Sequence, residues 1–228
     1  NQWNTVSFGL QYTQQNIDFT LFQNDELTLE TKNDASTLSI YFEDEIILDA
    51  LTIVPGLRIN HYDITDEIYS EPRLSLAYEL NDTTQLRAAF GDYHQFALSI
   101  ARQSIEEGPR NFWTLADGET IPVSKARHFI LGSTHYFGLY DFNIELFHKE
   151  YENLSEFTQQ TRPIRNEEET GLILILEEEF HTGSGTASGI ELFLQKNIGD
   201  LTGWTGYTYS EVIYDFPTVS DTTYFADQ

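Results

Sequence analysis

The chain has no cysteine, which excludes a disulfide framework, a thiolate metal site and a cysteine nucleophile. Basic residues are scarce: 12 Lys and Arg stand against 37 Asp and Glu, for a formal net charge of -25. That balance excludes nucleic acid as a partner, because neutralising phosphates takes clustered Lys and Arg. It leaves solvated acidic loops, or loops that meet cations or a cationic ligand. No stretch reaches the ~20 apolar residues of a membrane helix. The strongest apolar run, Gly171-Leu172-Ile173-Leu174-Ile175-Leu176, is too short and lies between the triplets Glu167-Glu168-Glu169 and Glu177-Glu178-Glu179. No signal peptide is visible, and a strand pattern starts almost at once, so the chain reads as a piece of something longer.

What is present is a rhythm of alternating segments joined by connections of two kinds. Short turns are expected near Leu48-Asp49-Ala50, Asn81-Asp82-Thr83-Thr84, Phe137-Gly138-Leu139 and Asn197-Ile198-Gly199-Asp200. Long polar loops are expected at 23–35, 61–71, 94–124 and 155–186. Outer-membrane barrels sort their connections in this way, short on the periplasmic rim and long outside. Aromatic residues make up 14%, including 16 Phe and 13 Tyr, which suits girdles at two membrane interfaces. Mean hydropathy looks soluble, but a barrel hides its apolar half behind a polar lumen.

Period-two alternation defines the strands. Val6, Phe8, Leu10 and Tyr12 oppose Ser7, Gly9, Gln11 and Thr13, and further on Ile17, Phe19 and Leu21 alternate with Asp18 and Thr20. Leu38, Ile40, Phe42 and Ile46 follow, then Ile53, Leu57 and Ile59, with Pro55 expected at a bulge or near the strand start. Leu74, Leu76, Tyr78 and Leu80 mark a fourth strand, and Leu86, Ala88 and Phe90 a fifth. Residues 126–136 and 141–152 form a hairpin, and Ile190, Leu192 and Leu194 oppose Glu191, Phe193 and Gln195. In the ninth, 201–213, the sequence leaves open which parity is apolar, and Tyr224-Phe225 reads as the entry to a tenth. The fold class is therefore all-β: a transmembrane antiparallel β-barrel supplied with about nine to ten strands by this chain. A ten-stranded barrel, an arc of a larger one, and a soluble β-sandwich adhesin are the alternatives. The barrel puts Leu74, Leu76, Leu192 and Leu194 against lipid; a sandwich buries them between sheets.

Several blocks resemble a known family. Residues 180–196 with Leu201-Thr202-Gly203-Trp204-Thr205-Gly206-Tyr207 are similar to late barrel strands of TonB-dependent outer-membrane receptors, of the Bacteroidetes type. Tyr41-Phe42-Glu43-Asp44-Glu45, Val54-Pro55-Gly56-Leu57-Arg58, Pro72-Arg73-Leu74, Phe90-Gly91-Asp92-Tyr93 and Phe147-His148-Lys149-Glu150-Tyr151 match in the same order. The resemblance implies a barrel of about 22 strands, an N-terminal plug within it and a segment contacting TonB. Residues 1–228 then form the middle-to-late part of one barrel domain, with the plug and terminal strands expected to lie outside these residues. It also implies an outer-membrane location, membrane lipid and the TonB energy-coupling system as partners, and a surface lipoprotein or other outer-membrane protein as a further candidate. Active nutrient uptake is the implied function; a docking barrel without transport is the alternative. Gly56, Gly91, Gly132, Gly189 and Gly203 are expected to relieve crowding where the sheet bends.

No catalytic or cofactor chemistry is expected. Adjacent acids supply neither the separation nor the opposed pKa values of a catalytic pair, and the six histidines show no metal-ligand spacing. The glutamate triplets are oxygen donors suited to calcium, without an EF-hand pattern. One loop invites a binding reading: residues 94–124 carry Arg102, Arg110, Asn111, Phe112 and Trp113 in an otherwise acidic chain. Arginine beside an exposed indole can clamp a sugar or an anionic group. Alternatively, Phe112 and Trp113 pack the loop onto the barrel rim.

Overall fold

In the computed structural model, the described backbone covers residues 3–23, 26–104, 108–165, 172–219 and 224–225, with side chains at 3–18, 20, 32–100, 112–158 and 179–219. The described elements are all strands: β1 (Asn4–Gln23), β2 (Glu26–Leu48), β3 (Leu51–Tyr62), β4 (Glu67–Asn81), β5 (Thr84–Gln95), β6 (Ala97–Ser104), β7 (Gly108–Leu115), β8 (Ser124–Phe137), β9 (Tyr140–Arg165), β10 (Leu172–Lys196), β11 (Gly203–Asp215) and β12 (Tyr224–Phe225). Ten form one antiparallel sheet in the order β1-β2-β3-β4-β5-β8-β9-β10-β11-β12, while β6 and β7 make a separate hairpin.

The short turns fall where the sequence places them, but three of the long loops do not exist as loops. The polar stretches at 23–35 and 155–186 are largely strand, because β1, β2, β9 and β10 run on for 20 to 26 residues. Only 63–66 separates β3 from β4, so the connection expected at 61–71 is short. The excursion at 94–124 contains the β6–β7 hairpin. Residues 166–171, with the triplet Glu167–Glu169, lie outside the described residues. The apolar run 172–176 is the start of β10.

Facing partners in an antiparallel ladder lie on the same side of the sheet. The register carries one line from Ile46 through Ile53, Leu76, Ala88, Leu131, Leu146 and Ile190 to Tyr209. This settles the parity of β11: Tyr207 and Tyr209 share the apolar face, and Trp204 lies on the other, stacked on Phe193 at 5.9 Å. Along the apolar face Phe8 is 82% exposed, Leu10 68% and Leu131 58%, so a sandwich does not bury it. Leu74 is exposed, and Leu76, Leu192 and Leu194 are half-buried on that same face. A surface this apolar and this open is made for hydrocarbon.

The apolar stripe also drifts across the register. On β1 it runs from Val6 to Tyr12, above the line just traced, whereas on β10 it runs from Ile190 down to Leu194. The drift is about seven residues over about seven strand-to-strand steps, which at ~3.3 Å per residue and ~4.8 Å per step is a lean of roughly 35°. That is the strand tilt of outer-membrane barrels. At the upper edge of the stripe the outer face becomes charged. Arg127 donates from Nε and Nη2 to the two oxygens of Asp92 at 2.8 and 2.9 Å, with Lys125 at 3.7 Å. At the lower edge Phe137 stacks on Tyr140 at 5.9 Å, an aromatic pair at the turn.

Beyond the stripe, the apolar residues change sides. Tyr12 is 63% exposed on the outer face, yet Ile17 packs into a core on the inner face, with no register shift between them. Ala35 and Tyr62 join it from the neighbouring strands. The strands thus leave the membrane without breaking, and what reverses is the side that must be dry. A bulge sets Glu152 and Asn153 of β9 against Ser184 of β10, with Asn153 at φ 58. It sits at the top of β8, whose Ser124 Oγ donates to the Asn153 carbonyl at 2.8 Å.

Two details depart from expectation. Pro55 is not at a bulge: it is the fifth residue of β3, where the β2–β3 pairing skips Asp44-Glu45 and Val54-Pro55 at constant register. Of the glycines, Gly189 is crowded, since a methyl there would come within 2.6 Å of the Phe147 ring, whereas one at Gly203 would meet open space.

Candidate functional site

The inner face is polar where the outer face is apolar. Arg58, Arg73 and Arg87 stand on successive strands β3, β4 and β5, all on this side. Arg58 donates to Gln11 Oε1, Ser39 Oγ and Asn60 Oδ1, each at 2.9 Å. One side chain thereby ties β1, β2 and β3 together. Arg87 donates to Asn143 Oδ1 at 3.4 Å, which also accepts from Thr134 Oγ1 at 2.6 Å. Glu145 and Glu191 face each other on the same side. On the lipid side a midplane Arg would cost ~2–4 kcal/mol; here each meets polar partners.

Above this wall the hairpin of β6 and β7 closes over the inner face. It is anchored at its base: Ala116 N donates to the Phe96 carbonyl at 2.8 Å, and Tyr62 Oη donates to the Ala116 carbonyl at 2.9 Å. Tyr62 and Ala116 are fully buried, and Tyr62 lies against Phe96 with ring centroids 4.6 Å apart. Burial pushes the Tyr62 phenol well above its ordinary pKa, aided by the nearby Asp63 carboxylate. Asp117 Oδ1 caps the following turn, accepting from Glu119 N and Ile121 N at 2.9 and 2.8 Å. Phe112 meets Phe157 of β9 edge-on at 5.8 Å. Leu98, Ile100, Phe112, Leu115, Ile121 and Val123 complete the buried cluster with Ile17 and Ala35. The hairpin is therefore a packed part of the protein.

Asp63 fixes the neighbouring β3–β4 turn to β2 by accepting from Ser36 Oγ and N at 2.7 and 2.8 Å. Partial burial raises its pKa, but the Ser36 hydrogen bonds outweigh that and hold the carboxyl below its usual range.

Two cavities flank the hairpin. The larger, about 600 Å³, is lined by Gln14, Gln15, Asn16, Asp18, Phe112 and Trp113 among others. Trp113 is 55% exposed there whereas Phe112 is 8% exposed, so the two adjacent aromatics divide the roles proposed for them: Phe112 packs and Trp113 faces the space. The register sets Arg102 opposite Arg110 and Asn111 opposite Ala101. The side chains of Arg102, Arg110 and Asn111 lie outside the described residues.

The smaller cavity, about 250 Å³, lies beneath Phe96 and is lined by Arg58, Asn60, Glu71, Arg73, Tyr93 and His94 among others. Sequence reading placed Arg58 on the polar parity but did not connect it with Asn60, Glu71 or Arg73. Only the register Arg58↔Glu71 brings them together. Among the described residues no three His, Asp or Glu side chains converge on a metal-sized site.

The family comparison agrees with this geometry. Residues 1–227 match the model of the family described as TonB dependent receptor-like, beta-barrel. No curated protein matches the chain. Among solved structures, the siderophore receptor PirA from Pseudomonas aeruginosa has 13% identity and a TM-score of 0.63, over 96% of this chain and 43% of that one. PirA from Acinetobacter baumannii has 15% identity and a TM-score of 0.61, over 93% and 37%. The FrpB iron transporter from Neisseria meningitidis has 14% identity and a TM-score of 0.60, over 93% and 33%. The chain thus spans a third to under half of the length of these structures, and at such identities the likeness is one of fold. With an outer stripe for lipid, a polar inner wall and strands tilted as in an outer-membrane barrel, the chain belongs to the TonB-dependent receptor-like β-barrel family of the bacterial outer membrane.

Proposed function

We propose that the chain is the middle-to-late wall of a receptor whose barrel has about 22 strands, which captures a small nutrient outside the cell and passes it inward using TonB-coupled energy. The remainder of that receptor supplies a plug and the segment that meets TonB. The observation that carries this reading is the Trp113 cavity, where a half-exposed indole meets the amides Gln14, Gln15 and Asn16. It is where a ligand entering from outside first meets an indole face flanked by amides. Arg102, Arg110, Asn111 and Trp113 form the contact set of this loop. An iron chelate is the cargo class we favour, since PirA is a siderophore receptor and FrpB an iron transporter. No step makes or breaks a covalent bond.

The test uses the full-length protein in its own cells under iron limitation. Trp113→Ala and Arg110→Ala should each lower energy-dependent uptake of labelled iron chelate while leaving the amount of folded receptor unchanged. Uptake that persists after the proton gradient is collapsed would remove the energy-coupled reading. Unchanged ligand affinity in both variants would remove the loop assignment.

A further inference from the structure

We propose that the smaller cavity, under Phe96, is a binding site for a carboxylate carried on a small organic molecule. This rests on the reading of the inner face as a wet lumen. The argument begins with donors that have nothing to donate to. Asn60 is 1% exposed, and its Oδ1 is already used by Ser39 Oγ at 2.7 Å and Arg58 Nε at 2.9 Å. Its Nδ2 is buried with no acceptor, and so is Nε of Arg73. Both residues line the cavity. Buried donors without acceptors are rare enough in native proteins to need a reason.

The charges point the same way. Arg58 is held by three neutral oxygens, and among the described residues it has no ion-pair partner. Arg73 shares Glu71, with Nη2 2.9 Å from Oε2, and its guanidinium lies 4.8 Å from the Tyr93 ring centroid. The other Glu71 oxygen is taken by the His94 amide at 2.9 Å, with His94 Nδ1 at 3.6 Å. Glu71 is therefore committed to Arg73 and His94, and the cavity keeps one uncompensated guanidinium in a chain of net charge -25. Spare donors together with a spare positive charge suit an oxygen-bearing anion. The aromatic walls of Tyr93 and Phe96 suit an organic body behind it, and a carboxylate has two oxygens for two donors.

The probe is citrate, titrated calorimetrically into the full-length receptor in detergent, with its uncharged trimethyl ester as the control. Citrate should bind and the ester should not. Arg73→Gln should weaken citrate about tenfold, as loss of a charge-assisted hydrogen bond does. Arg73→Lys, which keeps the charge and loses Nε, should fall between. Asn60→Asp, which replaces the free donor with an acceptor, should weaken it further. Each variant is first checked for heat-resistant folded mobility, so misfolding is separated from lost binding. Absent citrate binding, equal binding of the ester, or unchanged affinity in Arg73→Gln each overturns the site. A receptor that fails to bind citrate yet still imports its nutrient with energy would sink the carboxylate site and leave the transport reading standing.

Discussion

Replacing Leu192 with arginine, and in a second variant its neighbour Glu191, asks which side of the wall is dry. Leu192 is the middle of the outward trio Ile190, Leu192 and Leu194, and its partners are Ile144 and Tyr207. An arginine there faces hydrocarbon near the midplane, a cost of ~2–4 kcal/mol, or roughly a 30- to 1,000-fold loss in the folded-to-unfolded ratio. Glu191 points to the other side, where its partners are Glu145 and Thr208. Arginine at that position removes a pairing of like charges and should change stability by no more than ~0.5 kcal/mol. The assay is a urea titration of the full-length protein folded into lipid vesicles, read by heat-modifiable mobility. Leu192→Arg should shift the midpoint steeply down and Glu191→Arg should barely move it. A tolerated Leu192→Arg, or equal losses in both, would refute the assignment of faces. Higher on β1 the dry side is the inner one: Ile17→Arg should be damaging because it enters the packed core.

Tyr62→Phe leaves the buried Ala116 carbonyl without its donor, which costs about 1–3 kcal/mol. Amide exchange across 96–123 should accelerate by about five- to 160-fold, with β8 and β9 unchanged; unaltered exchange would remove Tyr62 as the anchor. Asp63 predicts a pH effect of defined sign. Its folded pKa lies below the ordinary carboxylate value, so its stabilisation is complete above the unfolded pKa of about 3.9 and is lost as pH falls through the folded value. Exchange at the Ser36 amide, compared with an Asp63→Asn variant at each pH, should show protection collapsing in that acid window in the parent alone.

Much of the barrel wall could be read from residues. The bounds of β3 and the turns at Asp49-Ala50 and Gly138-Leu139 follow from alternation and turn chemistry, and Arg58 and Glu191 fall on the polar parity. The extensions above the membrane were misread because their physics is reversed. From Tyr12 to Ile17 the apolar phase shifts by one face, so the outer half of β1 resembles a polar loop when judged by the stripe below it. The start of β4 was hidden by the polar residues Asp63, Thr65, Asp66, Glu67, Ser70 and Glu71 around it. The binding candidates split along a similar line. Trp113 stood out as an indole in a polar loop, and Phe112 beside it could not be assigned to packing until Phe157 was placed against it. Arg58, Asn60, Glu71 and Arg73 come from two strands whose meeting depends on register, and no local pattern announces it.

The junction of β5 with β8 has a consequence of its own. These strands stay paired all the way to Gln95 and Ser124, so the segment between them departs and returns at adjacent points on the rim. Its length and contents can therefore vary without altering strand number, shear or the lipid-facing surface. Such a segment is an exchangeable cassette: it can be rewritten by insertion or recombination while the strands beneath keep their pairing.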